Sequence, residues 1–404
     1  MFTNKPRILH VWDLPEKLVR VKLKKEIRED LFKKLLKSRT IKSLSKELKC
    51  KFSFKISQEP IRMYKTGDLF IPLWFLNRSL NLIRYNKNIL EKNVIEFRGL
   101  RGTSIKEPNF PWKEDERIIR TISHLIADGC GGSPVGKTGK PNYTNTNIEL
   151  VKEFESDLSF FGAVPYYTSS KIRTEKHRKE IYRVTFPKII SYILSDTYSI
   201  NFLSEKARLP SKIYKLSKPL IYQFIRAFGD DEGSVKGTQI NFYSANKDLL
   251  NDIIKLIRER LNEIKTTTDI RINNIKKDGR ICYYFAIKAQ DLENYLKHIS
   301  FTHPLKRRKL NHQLSCRKKD KNTGWNYRTK QLILNSLKEK DKISYEIAEN
   351  TLINHRTVNK HINGYSDNGK YFKGLVELDL VKNISKSHKG LFSITSKGKY
   401  FKFF

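Results

Sequence analysis

Two segments that end alike decide the fold of this chain: Thr121-Ile-Ser-His-Leu-Ile-Ala-Asp-Gly129 and Ile225-Arg-Ala-Phe-Gly-Asp-Asp-Glu-Gly233. Both are helical in pattern, both end in an acid followed by glycine, and they begin 104 residues apart. Such a recurrence predicts that the chain contains an internal duplication.

The small residues of the two segments predict close packing of two helices. Residues spaced i, i+4 share one helix face, and the small residues at that spacing are Ser123 with Ala127 and Ala227 with Asp231, beside Gly229. If the helices cross about a two-fold axis, Asp128 and Glu232 emerge side by side. Gly129 and Gly233 then allow each chain to leave its helix.

The order of predicted elements supports the duplication. Between about 117 and 310 each copy has a motif helix, an extended piece, a second helix, two extended segments and a closing helix. Asn145-Thr-Asn147 and Ser244-Ala-Asn246 precede equivalent helices, and asparagine is a favoured N-cap. We therefore expect a domain with pseudo-two-fold symmetry.

Two acids at one site predict a divalent cation. Like charges and the negative end of a helix dipole both oppose an ionised carboxylate at a helix C-terminus. Mg²⁺ removes this difficulty because it prefers hard oxygen ligands and bridges to phosphate. A site of this kind, with Asp128 and Glu232 as metal ligands, is typical of phosphodiester hydrolysis.

The two segments resemble the motifs of the LAGLIDADG (dodecapeptide) homing endonucleases, and the similarity extends over roughly residues 95 to 310. The resemblance implies two αββαββα halves that form a saddle of antiparallel sheet on double-stranded DNA, in a monomer with internal pseudo-symmetry. It also implies that the last acid of each motif, Asp128 and Glu232, is a metal ligand.

The same resemblance implies a basic catalytic residue late in each half. Phe301-Thr-His-Pro-Leu-Lys306 resembles the late segment of the second half, which makes Lys306 the candidate there. In the first half the candidates are Lys206 and Arg208, before Leu209-Pro210. The residues that we expect to contact DNA are Lys137, Lys140, Lys236 and Arg271.

Two features depart from the family pattern. His124 stands inside the first motif where a small or apolar residue is usual, and we interpret it as a core histidine with a satisfied hydrogen bond rather than a ligand. Asp230 and Asp231 precede Glu232, so the second ligand could be displaced by one position.

Charge predicts a polyanionic partner. Lys and Arg number 80 against 42 Asp and Glu, and the formal net charge is +38 at pH 7. No run of about 18 apolar residues is present to span a bilayer, and the N-terminus lacks an apolar signal core. We expect an intracellular, cytoplasmic protein that binds nucleic acid and no membrane.

Two further patterns are interpreted as structural. Gly131-Gly-Ser-Pro-Val-Gly-Lys-Thr138 has the spacing of a phosphate loop, but it follows a helix and leads into Gly139-Lys-Pro141, where no helix starts. We expect a basic loop leading into the DNA-binding sheet. The four cysteines lack metal-site spacing and are expected to be free thiols: Cys50, Cys130, Cys282 and Cys316.

The predicted fold class is α+β, with flanking domains on both sides of the duplicated saddle. Residues 1–95 form a helical, helix-turn-helix-like region, in which Leu18 to Leu36 is an amphipathic stretch. The endonuclease core occupies 96–318, with halves at about 115–210 and 211–310. Residues 327–404 resemble a winged helix. A plain helical bundle remains open for the first flank, and a helical dimerisation module for the last.

The leading hypothesis is a free-standing, Mg²⁺-dependent, site-specific DNA endonuclease, with an intron or another mobile element as a candidate location for its gene. Met1 and Phe404 do not fit the termini of a self-splicing intein. Two alternatives share the fold: a catalytically silent DNA-binding transcription regulator, and an RNA maturase that binds intron RNA.

Overall fold

A computed structural model of the protein describes residues 7–52, 56–132, 139–172, 180–203, 206–236, 239–267, 269–276, 278–319, 325–367, 369–385 and 390–402. The chain divides into two units, Met1–Lys306 and Arg307–Phe404. Among the described residues, no helix is both long and apolar enough to cross a membrane.

The first part of unit 1 combines helices with short strands. The helices are α1 (Lys25–Leu36), α2 (Ile41–Phe52), α3 (Gln58–Thr66), α4 (Leu73–Ile83) and α5 (Lys87–Glu91). The strands are β1 (Ile8–Leu9), β2 (Arg20–Leu23), β3 (Ile71–Pro72), β4 (Val94–Arg98), β5 (Ile105–Lys106) and β6 (Trp112–Lys113). They form a sheet of order β3-β2-β4-β5 and a separate β1-β6 pair.

This part differs from the all-helical expectation. The amphipathic stretch that begins at Leu18 becomes helical only at Lys25, because Arg20–Leu23 pairs with β4 instead. Val21 and Leu23 are buried while Arg20 and Lys22 are partly exposed, which is the alternation of a half-buried strand. A four-residue strand is too short for this pattern to be distinguished from one face of a helix.

The remainder of unit 1 repeats one order of elements. The first copy has α6 (Glu116–Ala127), β7 (Gly129–Cys130), β8 (Asn142–Asn145), α7 (Ile148–Leu158), β9 (Tyr167–Ile172), β10 (Glu180–Thr185) and α8 (Lys188–Tyr198). After the short α9 (Ser211–Tyr214), the second has α10 (Lys218–Glu232), β11 (Gly233–Lys236), β12 (Gln239–Ser244), α11 (Lys247–Arg260), β13 (Arg271–Ile275), β14 (Ile281–Ile287) and α12 (Leu292–His298).

The two copies have equivalent antiparallel sheets, β7-β8-β10-β9 and β11-β12-β14-β13. The expected mixed fold of helices and antiparallel sheet is thereby confirmed. The predicted N-caps are also confirmed: the Asn147 side chain accepts from the backbone N–H of Glu149 and Leu150, and Asn246 accepts from that of Leu249.

Each sheet buries one face against its helices. In the second copy Phe242 and Phe285 stack with ring centroids 5.0 Å apart, and Phe228 from α10 stacks on Phe242 at 6.1 Å. In the first copy Tyr143 stacks on Phe154 at 4.6 Å. Burial of each aromatic ring contributes roughly 2–3 kcal/mol, so these rings fix the position of each motif helix on its sheet.

Unit 2 is formed mainly by helices with a small sheet. Helix α13 (Pro304–Lys319) begins within unit 1. It is followed by α14 (Trp325–Leu337), β15 (Lys342–Ile343), α15 (Ser344–Thr351), α16 (His355–Asn363), β16 (Tyr365–Asp367), β17 (Lys370–Phe372), β18 (Val381–Asn383), β19 (Leu391–Ile394) and α17 (Ser396–Tyr400). Its sheets are β15-β19-β18 and the hairpin β16-β17. The hairpin was not predicted.

Candidate functional site

Helices α6 and α10 pack directly against each other. The Ser123 hydroxyl donates a hydrogen bond of 2.8 Å to the Phe224 carbonyl, and the bond is buried. Ala227 is fully buried as well. The sequence assigned Gly229 to the same contact, and that assignment is wrong: a Cβ at Gly229 would lie 2.7 Å from the Tyr295 hydroxyl, so this glycine faces its own half.

The two acids end the two helices. Asp128 is the C-cap of α6, and Glu232 is the last residue of α10. The following glycines are required for space rather than for a left-handed backbone. A Cβ on Gly129 would lie 2.5 Å from the Leu125 Cα, and one on Gly233 would lie 2.4 Å from the Gly229 carbonyl oxygen.

Asp128 and Glu232 belong to one electrostatic centre. Displacement of water by the surrounding protein, then the charge of Asp231, raises the pKa of Asp128 to about 7, although the side chain still reaches solvent. Burial, then the charges of Asp128 and Asp231, raises the pKa of Glu232 to about 8. The positive charge of Lys306 offsets part of both shifts. Ionisation of both acids is therefore unfavourable in this structure, as the sequence predicts.

The neighbouring acids of the second motif make structural hydrogen bonds. Asp230 accepts from the backbone N–H of Thr302 at 3.0 Å and of His303 at 2.9 Å. Asp231 turns into the first half, as described next. Within the described part of the chain, the Glu232 carboxylate accepts no hydrogen bond and forms no ion pair. Of the three consecutive acids, Glu232 is thus the one whose oxygens are left for a ligand.

Asp231 joins the two halves. It accepts hydrogen bonds from Tyr143 OH at 2.7 Å and from Asn145 Nδ2 at 3.0 Å, and it lies 2.8 Å from His124 Nδ1. Asn145 Nδ2 also donates to Asp128 Oδ2 at 3.3 Å. Asn145 therefore links Asp231 to the proposed ligand Asp128.

His124 is fully buried and hydrogen-bonded across the helix interface. Burial opposes its protonation, but the charge and hydrogen bond of Asp231 outweigh that effect and raise the pKa of His124. The prediction of a core histidine matches this position, but the hydrogen bonding is only half satisfied: Nδ1 is bonded to Asp231, whereas the buried Nε2 has no hydrogen-bond partner and lies 4.0 Å from Glu153 Oε2. The sequence analysis did not predict that its partner would be an acid of the other motif.

Lys306 lies at the C-terminal end of α10. Its Nζ donates to the carbonyl oxygens of Gly229, Asp230 and Asp231 at 3.1, 2.5 and 3.3 Å. Burial lowers the pKa of Lys306 although the surrounding acids oppose this. The structure therefore brings Lys306 to the acidic centre.

Among the described residues, neither first-half candidate forms a hydrogen bond or ion pair with Asp128 or Glu232. Lys206 is exposed and is not among the groups that shift the pKa of Asp128 or Glu232. Arg208 forms a two-bond pair with Asp252 on α11, at 2.7 and 2.9 Å. Lys276, which was not predicted, does influence Glu232 and lines a cavity of about 240 Å³ beside it.

Two of the predicted DNA contacts share one face of the second sheet. Lys236 on β11 is paired with Gln239 on β12, and Tyr243 lies on the same side of β12 as Gln239. Tyr243 and Arg271 are each paired with Tyr284 on β14. Paired residues share a face, and the buried Phe242 and Phe285 occupy the opposite one. Lys236 and Arg271 thus lie on the face turned away from the core.

The first sheet has a similar outer face. Arg183 is paired with Thr144 and Ser169. Lys171 is paired with Ile181, which lies two positions before Arg183 on β10 and therefore on the same face. Lys140 is exposed just before β8. The predicted contact Lys137 and most of the glycine-rich loop, 133–138, lie outside the described residues.

Comparisons with known proteins give partial likenesses. No family model matches the chain. The chain is 26% identical over 198 residues to a DNA polymerase of Thermococcus aggregans, which covers 45% of this chain and only 10% of the polymerase.

The similar solved structures include homing endonucleases. I-DmoI in complex with DNA and Mn is 14% identical, covers 46% of this chain and 96% of its own, and has a TM-score of 0.32. I-WcaI bound to its DNA recognition sequence is 11% identical and covers 46% and 81%, with a TM-score of 0.35. The N-terminal LAGLIDADG domain of DUF199/WhiA is 13% identical and covers 47% and 84%, with a TM-score of 0.32.

Proposed function

We propose that the chain is a site-specific endonuclease of the LAGLIDADG homing type that hydrolyses double-stranded DNA with Mg²⁺. One observation carries the proposal: helices α6 and α10 cross through Ser123 and Phe224 and end in the two acids Asp128 and Glu232. The charge of Asp231 raises the pKa of both acids, and the charge of Asp128 also raises that of Glu232. Acids placed where ionisation is unfavourable are typical of functional sites.

The residues present fit a divalent cation. Asp128 and Glu232 supply hard oxygen ligands, and a bound cation would favour their ionised forms. Among the described residues no group of three or more His, Cys, Asp or Glu side chains forms a metal site. In this proposal water and phosphate oxygens supply the remaining ligand positions, as is usual for Mg²⁺. When bound, the ion supplies Lewis-acid stabilisation of the attacking and leaving oxygens.

The surrounding side chains would orient and balance the acids. Asn145 donates to Asp128 and so restricts the carboxylate to one orientation. Lys306 holds its positive charge beside the end of α10, where it opposes the repulsion between the acids. We propose Lys306 as the basic residue of the second half. No equivalent is proposed at Lys206 or Arg208.

The two outer sheet faces would bind the duplex. Their basic side chains, Lys236 and Arg271 in one half and Lys140, Lys171 and Arg183 in the other, provide positive charge for phosphate. Each half would meet one side of a target site. The chain would then act as a monomer, since it contains both halves.

Incubation with a library of genomic duplex fragments tests the proposal. The full chain is expected to cut a small set of sites in Mg²⁺ and none in EDTA, and mapping the new ends identifies the target. Specific duplex binding without metal-dependent cutting would contradict the proposal and favour the silent regulator. Tighter binding to intron RNA than to duplex DNA would favour the maturase.

A further inference from the structure

Two helices of unit 2 are held in a fixed arrangement at their N-terminal ends. The Ser344 hydroxyl lies 2.8 Å from His355 Nε2, and the Tyr345 ring stacks on the His355 ring at 3.7 Å with planes 9° apart. Leu352, with φ of 59°, makes the tight turn between α15 and α16. The angle between these helices is therefore set by side chains at both helix starts.

The other elements of unit 2 support this pair. A buried core joins α14, α15 and α16 to the strands, and its residues include Leu334, Ile347, Val358, Val381 and Ile394. Strand β15 precedes the helices, β18 and β19 follow them, and the sheet order is β15-β19-β18. In a helix-turn-helix of this kind, the second helix is the one that enters the major groove.

The outer face of α16 carries side chains that can bind base edges. Val358, His361 and Ile362 are buried. Arg356, Lys360 and Asn363, at i, i+4 and i+7, are all exposed on the opposite side. Arginine and lysine bind the guanine edge and asparagine the adenine edge in the major groove.

No acid lies on α16, and the surrounding sequence is basic. Residues 307–404 contain 22 Lys and Arg against 8 Asp and Glu. The Lys360 ammonium lies 5.4 Å from the centre of the Tyr365 ring, which packs against Phe372 in the following hairpin. This contact holds the lysine near the exposed face without removing its charge.

In the N-terminal part of unit 1, the helix pair α2 and α3 lacks this pattern. On α3 the exposed Arg62 forms an ion pair with Glu59 at 3.1 Å, both on the outer side of the helix. A carboxylate at that position repels phosphate and occupies the guanidinium. Of the two pairs, α15 with α16 is therefore the better suited to duplex DNA.

We propose that α16 reads base edges of duplex DNA through Arg356, Lys360 and Asn363, so that unit 2 adds sequence selectivity of its own. The proposal rests on the chain binding duplex DNA as proposed above, but not on its cutting the duplex. The two can therefore fail separately.

Selection of bound duplexes from a randomised pool by the full chain, in EDTA, tests this inference. The wild type is expected to prefer a segment that Arg356→Ala and Asn363→Ala no longer prefer. At one or two base pairs, the preference of each variant for the selected base over the other bases should be at least about fivefold weaker than that of the wild type. The preferences at the other base pairs should remain. Lys338→Ala, which removes an exposed charge of the same unit, and Arg62→Ala on α3 are the matched controls.

Four outcomes are distinguishable. Preferences unchanged in both α16 variants would overturn the inference alone. A uniform loss on all sequences would identify phosphate contacts and would also overturn it. Loss of the same preference in Arg62→Ala but not in Arg356→Ala would assign the reading to α3 and overturn it. A wild type that binds no duplex would contradict both the inference and the proposed function.

Discussion

His124 of α6 and Asp231 of α10 lie 2.8 Å apart across the helix interface, with neither side chain exposed. Asp231 thereby reaches from the second motif into the first half, where it also accepts hydrogen bonds from Tyr143 and Asn145. Ala127 occupies the equivalent position of the first motif, and its methyl group cannot make the mirror-image hydrogen bond. The two halves are duplicated in topology but are joined asymmetrically.

Removal of Asp231 should destabilise unit 1. Asp231→Ala leaves His124, Tyr143 and Asn145 without their shared acceptor, and breaking a buried pair from one side costs roughly 3–5 kcal/mol. The expected result is a clear fall in the Tm of the unit 1 transition. Asp196→Asn, which changes an exposed acid on α8, is the control. Equal Tm values for the two variants would contradict the structural role of Asp231.

Gly233 should not tolerate a methyl group. In Gly233→Ala the new Cβ would lie 2.4 Å from the Gly229 carbonyl oxygen, which belongs to the helix backbone and cannot move away alone. Overpacking of this kind costs about 1–3 kcal/mol. The matched control is Gly99→Ala, whose Cβ would meet no atom closer than 3.5 Å. Thermal unfolding of both variants checks the difference, and an unchanged Tm in Gly233→Ala would be inconsistent with the described helix end.

Stability without metal should fall as pH rises. In the unfolded chain Asp and Glu have pKa values of about 4, whereas the folded-state pKa values of Asp128 and Glu232 are about 7 and about 8. Folding therefore favours the protonated acids, and the stability lost on ionisation accumulates from about pH 4 to about pH 8. Mg²⁺ should restore stability chiefly at the upper end of this range.

The measurement is Tm in EDTA and in Mg²⁺ at pH 5.5 and at pH 8.5, without DNA. The gain from Mg²⁺ should be larger at the higher pH, because the ion binds the ionised carboxylates. Asp128→Asn with Glu232→Gln should abolish that gain. The same gain in this double variant as in the wild type would place the bound ion elsewhere.

Asn145 should act through Asp128. Asn145→Asp keeps the shape of the side chain but removes the amide donor and adds a negative charge. Loss of a group that orients a metal ligand typically costs about 10- to 100-fold in metal affinity or activity. The Mg²⁺ concentration for half-maximal cleavage should therefore rise, whereas Asn81→Asp at an exposed position on α4 should leave it unchanged. Equal Mg²⁺ dependence in both variants would remove Asn145 from the site.

The parts of this fold that follow local patterns could be predicted from the sequence. Helices α6 and α10, the N-caps Asn147 and Asn246, and the duplicated order of elements each depend on residues close together in the chain. The final acids Asp128 and Glu232 could be chosen as candidate ligands for the same reason, since each stands immediately before the glycine that ends its motif.

Contacts between distant residues could not be predicted. His124 and Asp231 are separated by 107 positions, and neither residue type specifies the other as its partner. Lys276 reaches Glu232 only because the β13-β14 hairpin folds back. The first-half candidate Lys206 was chosen by its position in the chain alone, and it stays a prediction.

The central claim is that Asp128 and Glu232 serve one cleavage centre, and conversion of supercoiled plasmid carrying the mapped target tests it most directly. Wild type with Mg²⁺ should produce linear DNA. Asp128→Asn and Glu232→Gln should each reduce linear product by at least about 100-fold, with the double variant little worse, because residues that act as a unit are not additive. Asp196→Asn should cut normally. Linear product at the wild-type rate from either single variant would contradict the claim.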